Sequence, residues 1–154
     1  MAASKMNNLS GKEWLQNSFT VWRDIRKSKE ESKLKHPAMF PQSLVEKLID
    51  IYTKDSGEII LDPFLGSGSS IIAAMNKGKK GIGVELSEEY IELVEDRISN
   101  FQLDLLNNED LITPEIIHDD AKNIGKHIKP ETVDLVVTSP PYWDILNMRR
   151  TADN

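Results

Sequence analysis

The feature that most constrains this chain is an alternation that repeats from Glu58 onward. A short apolar run meets a sharp polar or glycine-rich break, and a longer amphipathic stretch follows. Glu58-Ile59-Ile60-Leu61 reads as a short buried strand ending at Asp62-Pro63. Phe64-Leu65-Gly66-Ser67-Gly68-Ser69 is a glycine-rich turn that opens a helix to about Lys77, with Gly78 as its stop. Gly81 to Glu85 is a second strand. Ser87 then caps a helix whose Tyr90, Ile91, Val94, Ile98 and Phe101 line one side. After a polar loop, Glu115 to His118 reads as a third strand, ending at Asp119-Asp120-Ala121. Thr132 to Thr138 reads as a fourth, buried strand that runs straight into Ser139-Pro140-Pro141-Tyr142-Trp143. Strands alternating with helices predict a parallel α/β sheet with right-handed crossovers. Such sheets bind ligands outside the carboxyl ends of their strands, and all four unusual clusters sit at those ends.

Upstream, residues 11–33 predict one amphipathic helix, with Trp14, Val21, Trp22 and Ile25 at helical spacing as a packing face. His36-Pro37-Ala38-Met39-Phe40-Pro41 is held extended by its two prolines. Ser43 and Glu46 form a capping-box pattern before a helix with Leu44, Leu48, Ile51 and Tyr52 inward. The chain therefore divides into a basic helical leader, residues 1–35, and an α/β unit, residues 36–154. Charge follows the same division: residues 1–36 carry eight Lys/Arg against four Asp/Glu, and the remainder eleven against twenty-one. An acidic body argues against broad non-specific nucleic-acid binding, which depends on neutralising phosphates. The leader's charge reads first as a solvated helix face and second as a phosphate contact. With no cysteine, disulfides, thiolate nucleophiles and cysteine-ligated zinc are excluded. Three well-separated histidines give no expectation of a metal site. No apolar run is long enough to span a bilayer, and the first residues lack the apolar core of a secretory signal, so the expected address is the cytoplasm.

Each cluster has a functional and a bland reading. Gly66 and Gly68 let a backbone approach a ligand closely, and the helix start beyond them offers free N–H groups. A tight strand–helix turn would need the same residues, and Ile71 stands where a dinucleotide fingerprint has its third glycine. Glu85 lies 23 residues after Asp62 at the next strand end, where an acid commonly accepts from a ribose diol. A solvated strand end is the alternative. Asp119-Asp120 can accept from an adenine amino group or simply cap a helix. Together the three could hold a carboxylate-bearing tail, a ribose and an adenine, the parts of S-adenosylmethionine. The Ser-Pro-Pro-Tyr run has little structural rationale: its prolines leave carbonyls free to accept, and Tyr142 offers a face on which a base can stack.

In these motifs and their order, from His36 to about Tyr142, the chain resembles the DNA amino-methyltransferases, which methylate the exocyclic nitrogen of cytosine or adenine. The resemblance rests on HPAMFP, DPFLGSGS, the GVE and DDA strand ends and SPPY. It implies a Rossmann-like S-adenosylmethionine-dependent fold, here partial, with about four parallel strands and flanking helices. It also implies a cofactor site built by Phe40, Asp62, Phe64, Gly66, Ser67, Gly68, Ser69, Glu85 and Asp120, with Asp119 a rival for the last place. Ser139, Pro140, Pro141 and Tyr142 would form the catalytic segment, with no metal. An aromatic amine is a poor nucleophile, so the base must leave the duplex. The Ser139 side chain and Pro140 carbonyl would then accept from its amino group and stabilise developing positive charge. Serine before Pro-Pro-Tyr looks more like the N4-cytosine enzymes, with N6-adenine the alternative.

The family fold has seven strands, and this sequence accounts for four. The expected partners are double-stranded DNA and a completing C-terminal half, second subunit or homodimer covering the open edge left by the fourth strand. Behind this leading reading stand two others: a non-catalytic module that keeps the fold and, less favoured because the five motifs together look DNA-directed, a methyltransferase acting on RNA or protein.

Overall fold

A computed structural model of the chain describes residues 5–34, 39–55, 57–104 and 112–140. Its strands are β1 (Ile59–Asp62), β2 (Lys80–Glu85), β3 (Glu115–His118) and β4 (Leu135–Val136). They pair in parallel in the order β3-β2-β1-β4. The helices are α1 (Gly11–Asn17), α2 (Gln42–Tyr52), α3 (Ser69–Asn76) and α4 (Glu88–Asp104). Two βαβ units, β1-α3-β2 and β2-α4-β3, build one side of the sheet. The chain then returns past β1 to lay β4 on its free edge. That reversal puts the carboxyl ends of β1 and β4 side by side at a topological switch point, where ligands of such sheets bind.

Alternation along the strands separates two apolar layers. Ile60 of β1 packs with Val45 and Ile49 of α2 and with Ala73 and Ala74 of α3. Ile71, Ile72 and Met75 of α3 join Leu65 and Val94, with Ile98, Phe101 and Ile116 against them. On the opposite face Leu61, Ile82, Val84 and Ile117 meet Ile124, Ile128 and Val133. Gly83 shows why β2 has no side chain toward the glycine-rich turn: a Cβ there would lie 2.5 Å from Leu65 Cδ2. Among the described residues no helix is long and apolar enough to cross a membrane.

Three expectations require correction. Residues 11–33 are not one helix: α1 ends at Asn17, a 3-10 turn follows only at Glu31–Lys33, and Trp14 and Val21 are exposed. Ser18 closes α1: its hydroxyl donates to the Leu15 carbonyl at 2.8 Å and its amide is shared between the Trp14 and Leu15 carbonyls. Helix α2 buries Val45, Ile49 and Ile51, whereas Leu44 and Leu48 are half-buried and Tyr52 is exposed. Pro41 takes its N-cap with ψ 139° and no side-chain cap, so Ser43 sits inside the helix and bonds Arg26 instead. The fourth strand is two residues long rather than the seven from Thr132 to Thr138; it lies at the sheet edge, as expected, paired among the described residues with β1 alone, and Val136 is exposed. His36 to Ala38, Pro141, Tyr142 and Trp143 lie outside the described residues.

The leader does not float free. Asn7, buried, donates Nδ2 to the Ile51 carbonyl at 2.6 Å, and Asn8 reaches the Lys54 carbonyl at 2.8 Å. Lys47 of α2 pairs with Asp24 at 2.8 Å and stands 5.2 Å over the Trp22 ring. Polar contacts to α2 thus hold this segment where an apolar helix face was expected.

Candidate functional site

The end of β1 builds the site's floor. After Asp62 the chain turns through Pro63 to Ser69, and Gly66 and Gly68 both take left-handed conformations, with φ 54° and 81°. A side chain at Gly68 would also press within 2.8 Å of Val94 Cγ2. The turn is held from beneath, since Asp62 is 1% exposed, accepts from Phe64 N at 3.1 Å and takes the Ser70 hydroxyl at 2.6 Å. Burial pushes the Asp62 carboxyl above its usual range, opposed by hydrogen bonds from Ser70, Thr138 and Phe64. Because Thr138 immediately precedes Ser139, this one carboxylate links the glycine loop to the Ser-Pro segment.

Above the turn lies a cavity of about 460 Å³, within the range of roughly 300–1,000 Å³ typical of small-molecule sites. Phe64, Gly66, Ser67 and Ser69 line it from the glycine loop, and Met39 and Phe40 form the wall beside them. Glu85 and Tyr90 close it from the second unit, and Asp120 and Ser139 from the third and fourth strand ends. Of the expected cofactor residues, the structure brings Phe40, Phe64, Gly66, Ser67, Ser69, Glu85 and Asp120 to one space. Asp62 and Gly68 shape the loop from behind it. Ser139 reaches the cavity, Pro140 is exposed outside it, and Pro141 and Tyr142 are not described.

The acids differ in what they already hold. Glu85 Oε2 accepts from Gly66 N at 2.7 Å, and Oε1 accepts from Leu86 N and Ser87 N at 2.9 Å each. A carboxylate offers about four acceptor positions, so Glu85 clamps the glycine loop to β2 and retains capacity for a further donor. Asp120 accepts from Lys122 N at 3.0 Å, a bond that lowers its carboxyl below the usual range and keeps an ionised acceptor at the cavity rim. Asp119 turns away. It takes His127 at 2.7 Å and Asn123 at 2.8 Å, which bring its pKa down to about 2. Geometry therefore separates the two aspartates that the sequence left as rivals. Tyr90, Leu86, Ser87 and Ala121 also line the cavity, although the sequence marks Tyr90 only as a packing residue and Ser87 only as a helix cap. Burial, with Glu89 and Glu85 nearby, pushes the Tyr90 phenol up, so it enters the cavity as a neutral hydroxyl. Among the described residues no group of three potential ligands could hold a metal ion.

The fold is that of the Rossmann-like methyltransferases. TTHA0409 of Thermus thermophilus, described as a candidate DNA modification methylase, superposes with a TM-score of 0.51 at 28% identity, covering 73% of this chain and 39% of that one. Its complex with S-adenosyl-L-methionine gives 0.50 at 26% identity, over 71% and 38%. The chain belongs to the N6/N4 DNA methylase family, whose model matches residues 2–96. Type II beta methyltransferase M.BslI of Bacillus sp. (strain NEB-606) is 44% identical over 86 residues, 54% of this chain and 9% of that protein. Orphan methyltransferase M.BamHII of Bacillus amyloliquefaciens is 36% identical over 88 residues, 54% of this chain and 32% of its own length. The chain thus spans a minor part of the relatives it matches. The family match includes the Phe40, glycine-loop and Glu85 motifs and ends before Asp120 and Ser139.

Proposed function

We propose that this chain forms the cofactor half of an S-adenosylmethionine-dependent DNA methyltransferase, acting on the exocyclic amino group of a flipped base, most simply N4 of cytosine. What carries the reading is one juxtaposition: the glycine loop, Glu85, Asp120 and Ser139, far apart in sequence, border a single cavity. The solved relative holding S-adenosyl-L-methionine supports the choice of cofactor. The donor set fits it. Phe40 and Phe64 offer apolar faces, Glu85 retains capacity to accept from a ribose diol, and ionised Asp120 can accept from an adenine amino group. Bound there, S-adenosylmethionine supplies an activated methyl group on its sulfonium.

The chain's own part is orientation and charge. Ser139 at the cavity and the carbonyl of Pro140 accept from the target amine, which favours a tetrahedral nitrogen and stabilises the positive charge that grows on it. The nitrogen gains the methyl group and releases a proton to solvent, with no covalent enzyme adduct. Alignment of the amine with the cofactor supplies much of the remaining acceleration. Base choice rests on serine at position 139, with N6 of adenine the alternative. The edge of β4, unpaired among the described residues beyond β1, and the small share of each relative that this chain spans support completion by further strands from a longer chain, a second subunit or another copy. Mass spectrometry of nucleosides from duplex DNA treated with the completed enzyme tests the activity. N4-methylcytosine is expected, N6-methyladenine would reassign the base, and no methylated base would leave a non-catalytic module.

A further inference from the structure

Two carboxylates are buried among the described residues, and only Asp62 belongs to a recognised motif. The other is Glu31, 3% exposed, in the leader that the sequence treats as a solvated face. Its Oε2 accepts from Ser28 N at 2.8 Å, which folds the 3-10 turn back on itself. Its Oε1 accepts from Gln42 N at 2.7 Å, two residues beyond Phe40. The Ser69 hydroxyl approaches the same oxygen at 3.5 Å, the outer limit of a hydrogen bond. One oxygen therefore stands behind both the Phe40 wall and the glycine-loop wall of the cavity. From the other side Arg97 donates Nη1 to the Ser67 carbonyl, and Glu31 and Glu30 are the negative charges that favour its ionised form against burial. The turn from Ser67 to Ser69 is thus held by a half-buried cation, Arg97, and a buried anion, Glu31, that come from different parts of the chain.

We infer that Glu31 is a positioning residue of the cofactor cavity, setting the separation of its Phe40 and Ser67–Ser69 walls from behind. The statement about cofactor affinity rests on the proposed function, whereas the statement about the walls does not. The test uses the full chain in four forms: wild type, Glu31→Ala, Glu31→Gln and Lys79→Met. Lys79 is also buried and paired, with Glu58 at 2.6 Å, but lies at the amino end of β2, remote from the cavity. Hydrogen exchange of the amides from Gly66 to Ser70 and calorimetric titration with S-adenosylmethionine are read on each. Glu31→Ala should speed exchange in that turn and weaken binding about tenfold or more, as loss of a charged hydrogen-bond acceptor implies. Glu31→Gln, which keeps one acceptor oxygen, should fall between Glu31→Ala and wild type. Lys79→Met should lower Tm without either change. Unaltered exchange in Glu31→Ala, or the same change in Lys79→Met, would overturn the assignment. If wild type binds no S-adenosylmethionine, the cofactor reading fails by itself, and exchange still decides the role of Glu31.

Discussion

Helices α1 and α3 are nearly equal in length, seven and eight residues, and almost opposite in what sustains them. Every residue of α3 from Ser69 to Met75 is buried, whereas α1 buries none. Helix α1 has the better local signals: a complete capping box in which Ser10 and Glu13 satisfy each other's backbone amides. Helix α3 has no side-chain cap and begins at a left-handed glycine. Short helices are marginal on local terms alone. The helix that carries the site is the one held by tertiary burial, and the one with good local chemistry stops after two turns.

The sharpest way to break this contrast is to cut each helix equally. Ile71→Ala, at a position 1% exposed in α3, should cost about 2–5 kcal/mol in urea denaturation. Leu15→Ala, 63% exposed in α1, should stay within about 0.5 kcal/mol. Comparable losses would show that the leader packs more tightly than its exposure indicates. A smaller effect comes from the loop that starts α3. Gly68→Ala combines φ 81° with a contact at 2.8 Å to Val94, and should cost about 1–3 kcal/mol and disorder the glycine turn in amide exchange. The smallest concerns pH. Asp119, held by His127 and Asn123, has a folded pKa of about 2 against 3.8. Its contribution is present above the unfolded value and lost as pH falls through the folded one. Asp119→Asn should flatten the fall of Tm over that acid range, and an unchanged profile would mean the pair is absent in solution.

The same contrast explains what was legible in the sequence. The β-α units could be read because burial on both sides forces apolar runs, and the glycine and acidic clusters then fall at strand ends by topology. In α2 Ile51 is buried as the spacing predicts, but Val45 and Ile49 take the places expected for Leu44 and Leu48, because Leu44-Val45 and Leu48-Ile49 are adjacent apolar pairs that make the stripe too wide to resolve. The leader departs from the expected helix because Trp14 and Val21 find no apolar surface, whereas Trp22 and Ile25, half-buried, lie in a non-helical stretch held to α2 by polar contacts. In the site, motif residues announced themselves, and Asp120 separated from Asp119 only when His127 came into view. Glu31 and Tyr90 carry no local sign of their surroundings: a Glu in a charge run and a Tyr on a helix face look ordinary until the fold brings Tyr90 to the cavity and buries Glu31 behind its walls.

In the proposed function the carboxyl edge of this sheet binds S-adenosylmethionine. Phe64 tests it most cleanly, because it lines the cavity, is 41% exposed and, unlike Glu85, holds no part of the loop through its side-chain hydrogen bonds. Titration calorimetry of the 154-residue chain with S-adenosylmethionine should give saturable one-site binding. Phe64→Ala should weaken it by about tenfold with Tm nearly unchanged, as truncation of an aromatic ligand contact implies. Binding that is indifferent to Phe64, or absent from a folded wild-type chain, would contradict the claim.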